Sequence, residues 1–212
     1  MIFTIDGADT KDIDDAISLT MKNGIYTLGV HIADVSHYVK ENTALGDDAY
    51  NRGTSAYLAD TVIPMIPHKL SNGICSLNEG VIRLTMSCVM DINQNGDVIN
   101  YDIFPSYIKS RKKMTYDNVN KILENDHIPS GYEEFADTLK QMHELAQILR
   151  KKKVSRGYIE FDIPEAKIIQ DKQGKAIDIK KRIQRSGESL IEDFMIAANE
   201  TVATHISNME LP

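Results

Sequence analysis

Ile5-Asp6-Gly7-Ala8-Asp9-Thr10-Lys11-Asp12-Ile13-Asp14-Asp15-Ala16 is the stretch on which the reading of this chain turns. It sets five aspartates within ten positions. Such a run costs free energy through mutual repulsion unless a positive group sits among the carboxylates. Short Asp side chains hold hard oxygen donors close to the backbone, which suits Mg2+ or Mn2+ better than zinc or copper. Neither a cysteine nor a close histidine pair lies nearby to build a thiolate or imidazole site. Simpler readings compete. Asp and Gly favour solvated turns, and an aspartate can cap a helix. An EF-hand loop would want acidic residues at alternating positions, then Gly, then a distant Glu; that register fails, because Ala16 stands where glycine would follow Asp15. On spacing alone, a cation site for phosphodiester chemistry and a plain acidic turn both stay open. A phosphatase or a polymerase could use the same loop.

Working outward, Met1 to Ile5 reads as a short strand running into the acidic turn. Ala16–Leu19 and Ile25–Ala33 are apolar and partly β-branched, with Lys22-Asn23-Gly24 between them, and Asn-Gly at such a joint signals a hairpin. Arg83–Ile92 and Val98–Ile108 form a second strand pair, joined by Asn93-Gln94-Asn95-Gly96-Asp97. Thr115 is placed to cap a short helix over Tyr116–Leu123. A longer helix is expected from about Tyr132 to Lys153, with Phe135, Leu139, Met142, Leu145, Ala146 and Leu149 at helical spacing. Tyr158–Ile163 reads as a strand, Ala166–Gln170 and Ala176–Ile179 as a hairpin, and Ser189–Ile206 as a helix. Strand pairs followed by helices, without regular βαβ alternation, indicate an α+β domain. No repeat or linker divides it.

The net charge of −7 argues against binding nucleic acid over the whole surface, since phosphate contacts need Lys and Arg. It leaves room for a basic channel and for carboxylates that hold cations. No apolar run is long enough to span a bilayer, and no secretory signal opens the chain. A cytoplasmic setting is expected, with Cys75 and Cys88 reduced in the core.

The aspartate stretch resembles the catalytic motif of the ribonuclease II and ribonuclease R family, the RNB domain. Further blocks follow in the family's order: His31-Ile32-Ala33-Asp34-Val35-Ser36-His37-Tyr38-Val39, Asn51-Arg52-Gly53-Thr54-Ser55-Ala56-Tyr57-Leu58, Val62-Ile63-Pro64-Met65-Ile66-Pro67, Leu70-Ser71-Asn72-Gly73-Ile74-Cys75-Ser76-Leu77-Asn78 and Arg83-Leu84-Thr85-Met86. Gly157-Tyr158-Ile159-Glu160-Phe161 and Ile191-Glu192-Asp193-Phe194-Met195-Ile196-Ala197-Ala198-Asn199-Glu200 extend the likeness, which covers essentially the whole chain and is nearest to ribonuclease R. The resemblance implies the RNB fold in part, an α+β arrangement of a mixed or antiparallel sheet with packed helices. It implies a processive 3′→5′ hydrolase of single-stranded RNA that releases nucleoside 5′-monophosphates by two-metal catalysis with Mg2+, Mn2+ being possible. Asp6, Asp12, Asp14 and Asp15 match the family's catalytic aspartates. Asp6 and Asp15 are expected to bind metal directly, while Asp12 and Asp14 complete the metal shell or orient the attacking water. Asp9 falls outside the matched set. Tyr57 matches an aromatic that stacks on a base near the 3′ end, and Glu192 an acidic residue near the terminal nucleotide. The family's arginine-bearing block that contacts the scissile phosphate has no counterpart here, nor have the flanking cold-shock and S1 domains. Residues 1–212 are therefore expected to be the N-terminal and central part of the catalytic domain, weak or inactive alone. The alternative is a catalytically idle relative that binds RNA or a protein.

Other charged residues have plainer expectations. His31 and His37 with Asp34 could suggest zinc, but lacking a third ligand at motif spacing they read as a polar turn beside the sheet. Lys109, Arg111, Lys112 and Lys113, near Tyr107 and Tyr116, are either a phosphate-tracking run or a solvated loop. Arg150-Lys151-Lys152-Lys153 reads as cations complementing a helix C-terminus. Lys180-Lys181-Arg182 and Arg185 are similar but lie close enough to the Glu192 block to reach RNA.

Overall fold

A computed structural model describes residues 1–58, 61–159, 166–171, 173, 175–181 and 183–210. In chain order the elements are β1 (Ile2–Asp6), β2 (Asp15–Lys22), β3 (Ile25–Ala33), α1 (Ala44–Arg52), β4 (Ala56–Tyr57), β5 (Val62–Ile63), β6 (Ile82–Ile92), β7 (Val98–Lys109), β8 (Lys113–Thr115), α2 (Tyr116–Asn125), α3 (Ala136–Ser155), β9 (Ala166–Gln170), β10 (Ala176–Lys181) and α4 (Ser186–Asn208). Six strands form one sheet in the order β7-β6-β3-β2-β1-β8. All its neighbours are antiparallel except β1 and β8, which pair in parallel with Asp6 opposite Thr115. The expected mixed α+β architecture is therefore present.

Local chemistry explains the hairpins. Lys22 pairs with Ile25, leaving Asn23 and Gly24 as a two-residue loop with φ of 52° and 76°. Both values are positive, as the tight turn matching strand twist requires. Alternation then sends Ile17, Leu19, Tyr26, Leu28, Val30, Met90 and Ile92 to one face, where they meet α2, α3 and α4. The opposite face carries a smaller core of Ile13, Ala16, Ala33, Leu77 and Ile108. This second core matters for function, because Ile13 stands between Asp12 and Asp14.

Several expectations need correction. Thr115 stands at the start of α2 in extended backbone, but its side chain makes no capping bond. The long helix begins at Ala136, after a single 3-10 turn over Glu133–Phe135. Tyr158 and Ile159 are not in a strand, and residues 160–163 of that expected strand lie outside the described residues. His31 is not in a turn. It sits buried in β3, where Nε2 meets Ser18 Oγ at 3.2 Å and Nδ1 meets Ser87 Oγ at 2.7 Å. Burial, then the chain's amino terminus, lowers its pKa to about 4, so the ring is neutral.

The Arg150–Lys153 run does more than offset a helix dipole. Arg150 Nε donates to Asp193 Oδ2 at 3.1 Å, Lys153 Nζ to Asp193 Oδ1 at 2.9 Å and Lys152 Nζ to Asp97 Oδ1 at 2.7 Å. Lys153 and Asp193 are 8% and 4% exposed, so this pair is a buried bridge between α3 and α4. Burial alone would lower the Lys153 pKa; the hydrogen bond and charge of Asp193 reverse that and raise it. Removing one partner of such a pair strands the other charge. Asp193→Ala should cost about 3–5 kcal/mol in a urea melt, whereas an unchanged midpoint would show that the bridge is solvated.

Candidate active site

The sheet itself brings the aspartates together. Antiparallel pairing of β1 with β2, with Phe3 opposite Ile17, puts Asp6 at the end of β1 and Asp15 at the start of β2 at the same end of the sheet. Gly7–Thr10 closes a turn, with Thr10 N–H donating to Gly7 C=O at 3.2 Å. From there the chain returns through Asp12-Ile13-Asp14. Ile13 is 0% exposed and plugs into the second core. Its burial turns the residues on either side outward.

Electrostatics show that the four carboxylates share one neighbourhood. The Asp6 pKa is pushed up to about 7, first by burial and then by Asp15, with Asp14 and Asp12 adding to the rise and Lys113 opposing it. Asp15 is raised to about 6 by burial and by Asp14. Asp14 is open to solvent on one side, yet partial desolvation and then Asp12 raise its carboxyl too. Asp6 Oδ2 is buried without a hydrogen-bond partner. A buried oxygen lacking a donor, beside three further repelling carboxylates, is what a cation would satisfy. The donor set therefore fits Mg2+ or Mn2+ in kind and in neighbourhood. Among the described residues, however, no three Asp, Glu, His or Cys side chains stand as they are in an arrangement that holds a metal ion.

Tyr57 lies at the end of β4, 67% exposed, and its hydroxyl donates to Asp12 Oδ2 at 3.1 Å. That bond, followed by burial, raises the phenol pKa. The short β4–β5 hairpin thus brings an exposed aromatic ring to the edge of the acidic cluster. Glu192 is placed differently. It lies on α4, accepts a hydrogen bond from Gln184, and faces Lys153 at 3.6 Å and Arg150 at 3.8 Å. Among the described residues no hydrogen bond or ion pair joins it to the aspartates.

The basic run is largely engaged within the protein. Arg111 pairs with Glu134 at 2.9 Å, Lys112 lies over the Tyr132 ring, and Lys113 Nζ donates to Thr10 C=O at 2.5 Å. Arg185 is held by Glu124 at 2.6 Å. Sequence alone assigns no individual role to Ser76 and Lys113, which touch the aspartate loop: one lies within the family-like block Leu70–Asn78, the other within a charge run.

Comparison with known proteins places the chain in a family. The RNB domain family matches residues 1–212. Ribonuclease R 1 of Lactococcus lactis is 54% identical over 99% of this chain and 26% of its own length. Ribonuclease R of Thermotoga maritima is 54% identical over 100% of this chain and 30% of its own. The solved structure of Mycoplasma genitalium RNase R in complex with double-stranded RNA superposes with a TM-score of 0.95 at 32% identity, covering 99% of this chain and 37% of that one. The chain thus spans about a quarter to a third of the length of the relatives it matches. With agreement running from the first residue to the last in sequence, and over nearly all of the chain in fold, this chain belongs to the RNB domain family.

Proposed function

We propose that this chain carries the hydrolytic centre of a 3′→5′ exoribonuclease that degrades single-stranded RNA processively to nucleoside 5′-monophosphates. The observation that carries the reading is the buried, partnerless Asp6 Oδ2, whose carboxylate is faced by Asp15, Asp14 and Asp12. Family membership makes RNA the substrate class, since the relatives are ribonucleases. In the reaction, water oxygen bonds to phosphorus and the P–O3′ bond breaks. A proton given up by the water goes to O3′, so the shortened RNA ends in a new 3′-hydroxyl and the last nucleotide leaves as its 5′-monophosphate.

Asp6 and Asp15 would hold the metal, with Asp12 and Asp14 completing its shell or accepting a hydrogen bond from the attacking water. Bound Mg2+ or Mn2+ supplies charge that activates water and stabilises the departing oxygen. The aspartate side chains must rotate to gather an ion, while the backbone behind them stays tied. Tyr57 offers a ring on which the terminal base stacks, and stacking tolerates any base. Glu192 contributes to the reading as an acidic side chain held by Arg150 and Lys153; its contact with a terminal nucleotide would require release of Gln184.

The test is digestion of a 5′-labelled single-stranded RNA by the intact protein. With Mg2+, the product ladder should shorten from the 3′ end. Excess chelator should stop it, and excess Mg2+ should restore it. Cleavage at internal sites, or a ladder indifferent to chelator, would remove the basis for this function.

A further inference from the structure

The stretch from Gly7 to Asp14 lies in neither a helix nor a strand, yet its backbone is tied at four carbonyls. Lys113 Nζ takes Thr10 C=O, Ser76 Oγ donates to Lys11 C=O at 2.8 Å, Leu77 N–H donates to Ile13 C=O at 2.9 Å and Ala33 N–H to Asp14 C=O at 2.8 Å. Ser76 also accepts from Ile13 N–H at 3.1 Å. One hydroxyl therefore spans the two peptide groups that flank Asp12. Ser76 is 0% exposed, so water cannot replace it. It is anchored in turn: Arg83 Nε donates to Ser76 C=O at 2.9 Å and Nη2 to Gly73 C=O at 3.0 Å. The Asp12 carboxylate is meanwhile held from the other side by Tyr57.

We infer that Ser76 is a positioning residue for Asp12, a buried hydroxyl clamp, anchored by Arg83, that fixes the direction in which Asp12 leaves the backbone toward the cation. This rests on the reading of Asp12 as part of the metal shell. A serine that only satisfied two buried peptide groups would affect folding and nothing more. A clamp also sets metal affinity, and it does so through Asp12 alone. Groups behind metal ligands typically change affinity by about 10–100-fold when removed.

The experiment measures Mn2+ affinity of the intact protein for wild type, Ser76→Ala, Asp12→Asn and the double variant, with amide hydrogen exchange at Ile13. Ser76→Ala should weaken Mn2+ binding on the order of tenfold and speed exchange of the Ile13 amide in metal-free protein. In the Asp12→Asn background it should change Mn2+ affinity no further, because the group it positions is gone. Equal losses in both backgrounds, or an unchanged affinity in Ser76→Ala, would overturn the clamp. If Asp12→Asn itself leaves Mn2+ affinity intact, it is the Asp12 assignment that fails, a distinguishable result. Should Ser76→Ala not fold, Arg83→Gln frees the same segment from outside. It should weaken Mn2+ binding in the same Asp12-dependent way, and unchanged binding there counts against the proposal.

Discussion

Asp6→Asn is expected to abolish turnover while making the protein more stable in the absence of divalent ions. The two effects have one origin. A carboxylate at this position is costly because it is desolvated and faces Asp15, Asp14 and Asp12. Folded Asp6 holds a proton up to about pH 7, against an ordinary value of 3.8, so the native state is penalised only where the group is ionised. The penalty is absent below about pH 3.8, grows as pH rises and is complete above about 7. At about 1.4 kcal/mol per pH unit, it reaches on the order of 4 kcal/mol. The amide carries no charge, so Asp6→Asn should unfold at higher urea than wild type at pH 8. The two should converge as pH falls toward 4. Adding Mg2+ should stabilise wild type by mass action and leave the variant unmoved. Turnover should fall by at least about 10³-fold, because several kcal/mol of charge stabilisation goes with the ion. A variant less stable than wild type at pH 8 would mean that Asp6 is satisfied by a partner of its own, and the cation would lose its strongest argument.

Legibility from sequence followed the range of the interactions. The β2–β3 and β6–β7 hairpins close on local turns, and their alternation locates them to within a few residues. Helices α3 and α4 carry long apolar stripes and were equally open to reading. By contrast β8 is three residues with no period of its own, and only tertiary pairing with β1 makes it a strand. His31 suggested a polar turn because a lone histidine carries no sign of the Ser18 and Ser87 hydroxyls that make its burial tolerable. The same limit applies at the site. Four aspartates in one short stretch announce themselves, and β1–β2 pairing needs only to fold that stretch back. Tyr57, Ser76 and Lys113 reach the stretch from 45, 65 and 103 residues away, through one or two hydrogen bonds each. Spacing along the chain holds no trace of such contacts. The Arg150–Lys153 run shows the converse error, in which a local account was sufficient but the partners lay across on α4 and at the β6–β7 turn.

Asp14→Asn should separate chemistry from binding more cleanly than any other change in the cluster. Unlike Asp6, Asp14 is open to solvent, and its fixed contact is through the backbone, where its carbonyl accepts from Ala33 N–H. Exchanging carboxylate for amide there keeps shape and backbone and removes one of the repelling charges, so metal-free stability near neutral pH should hold or rise, by less than in Asp6→Asn. Turnover of single-stranded RNA should fall on the order of 10²–10³-fold, since an amide oxygen is a weak ligand and a poor partner for an attacking water. RNA affinity should hold or rise slightly, because one negative charge facing the phosphates is gone. Binding measured by anisotropy, alongside single-turnover cleavage, reads both quantities on one preparation. Lost affinity with unchanged cleavage per bound complex would recast the acidic loop as a binding element, as in an idle relative. A cleavage defect with affinity intact leaves the carboxylate one remaining place, at the bond being cut.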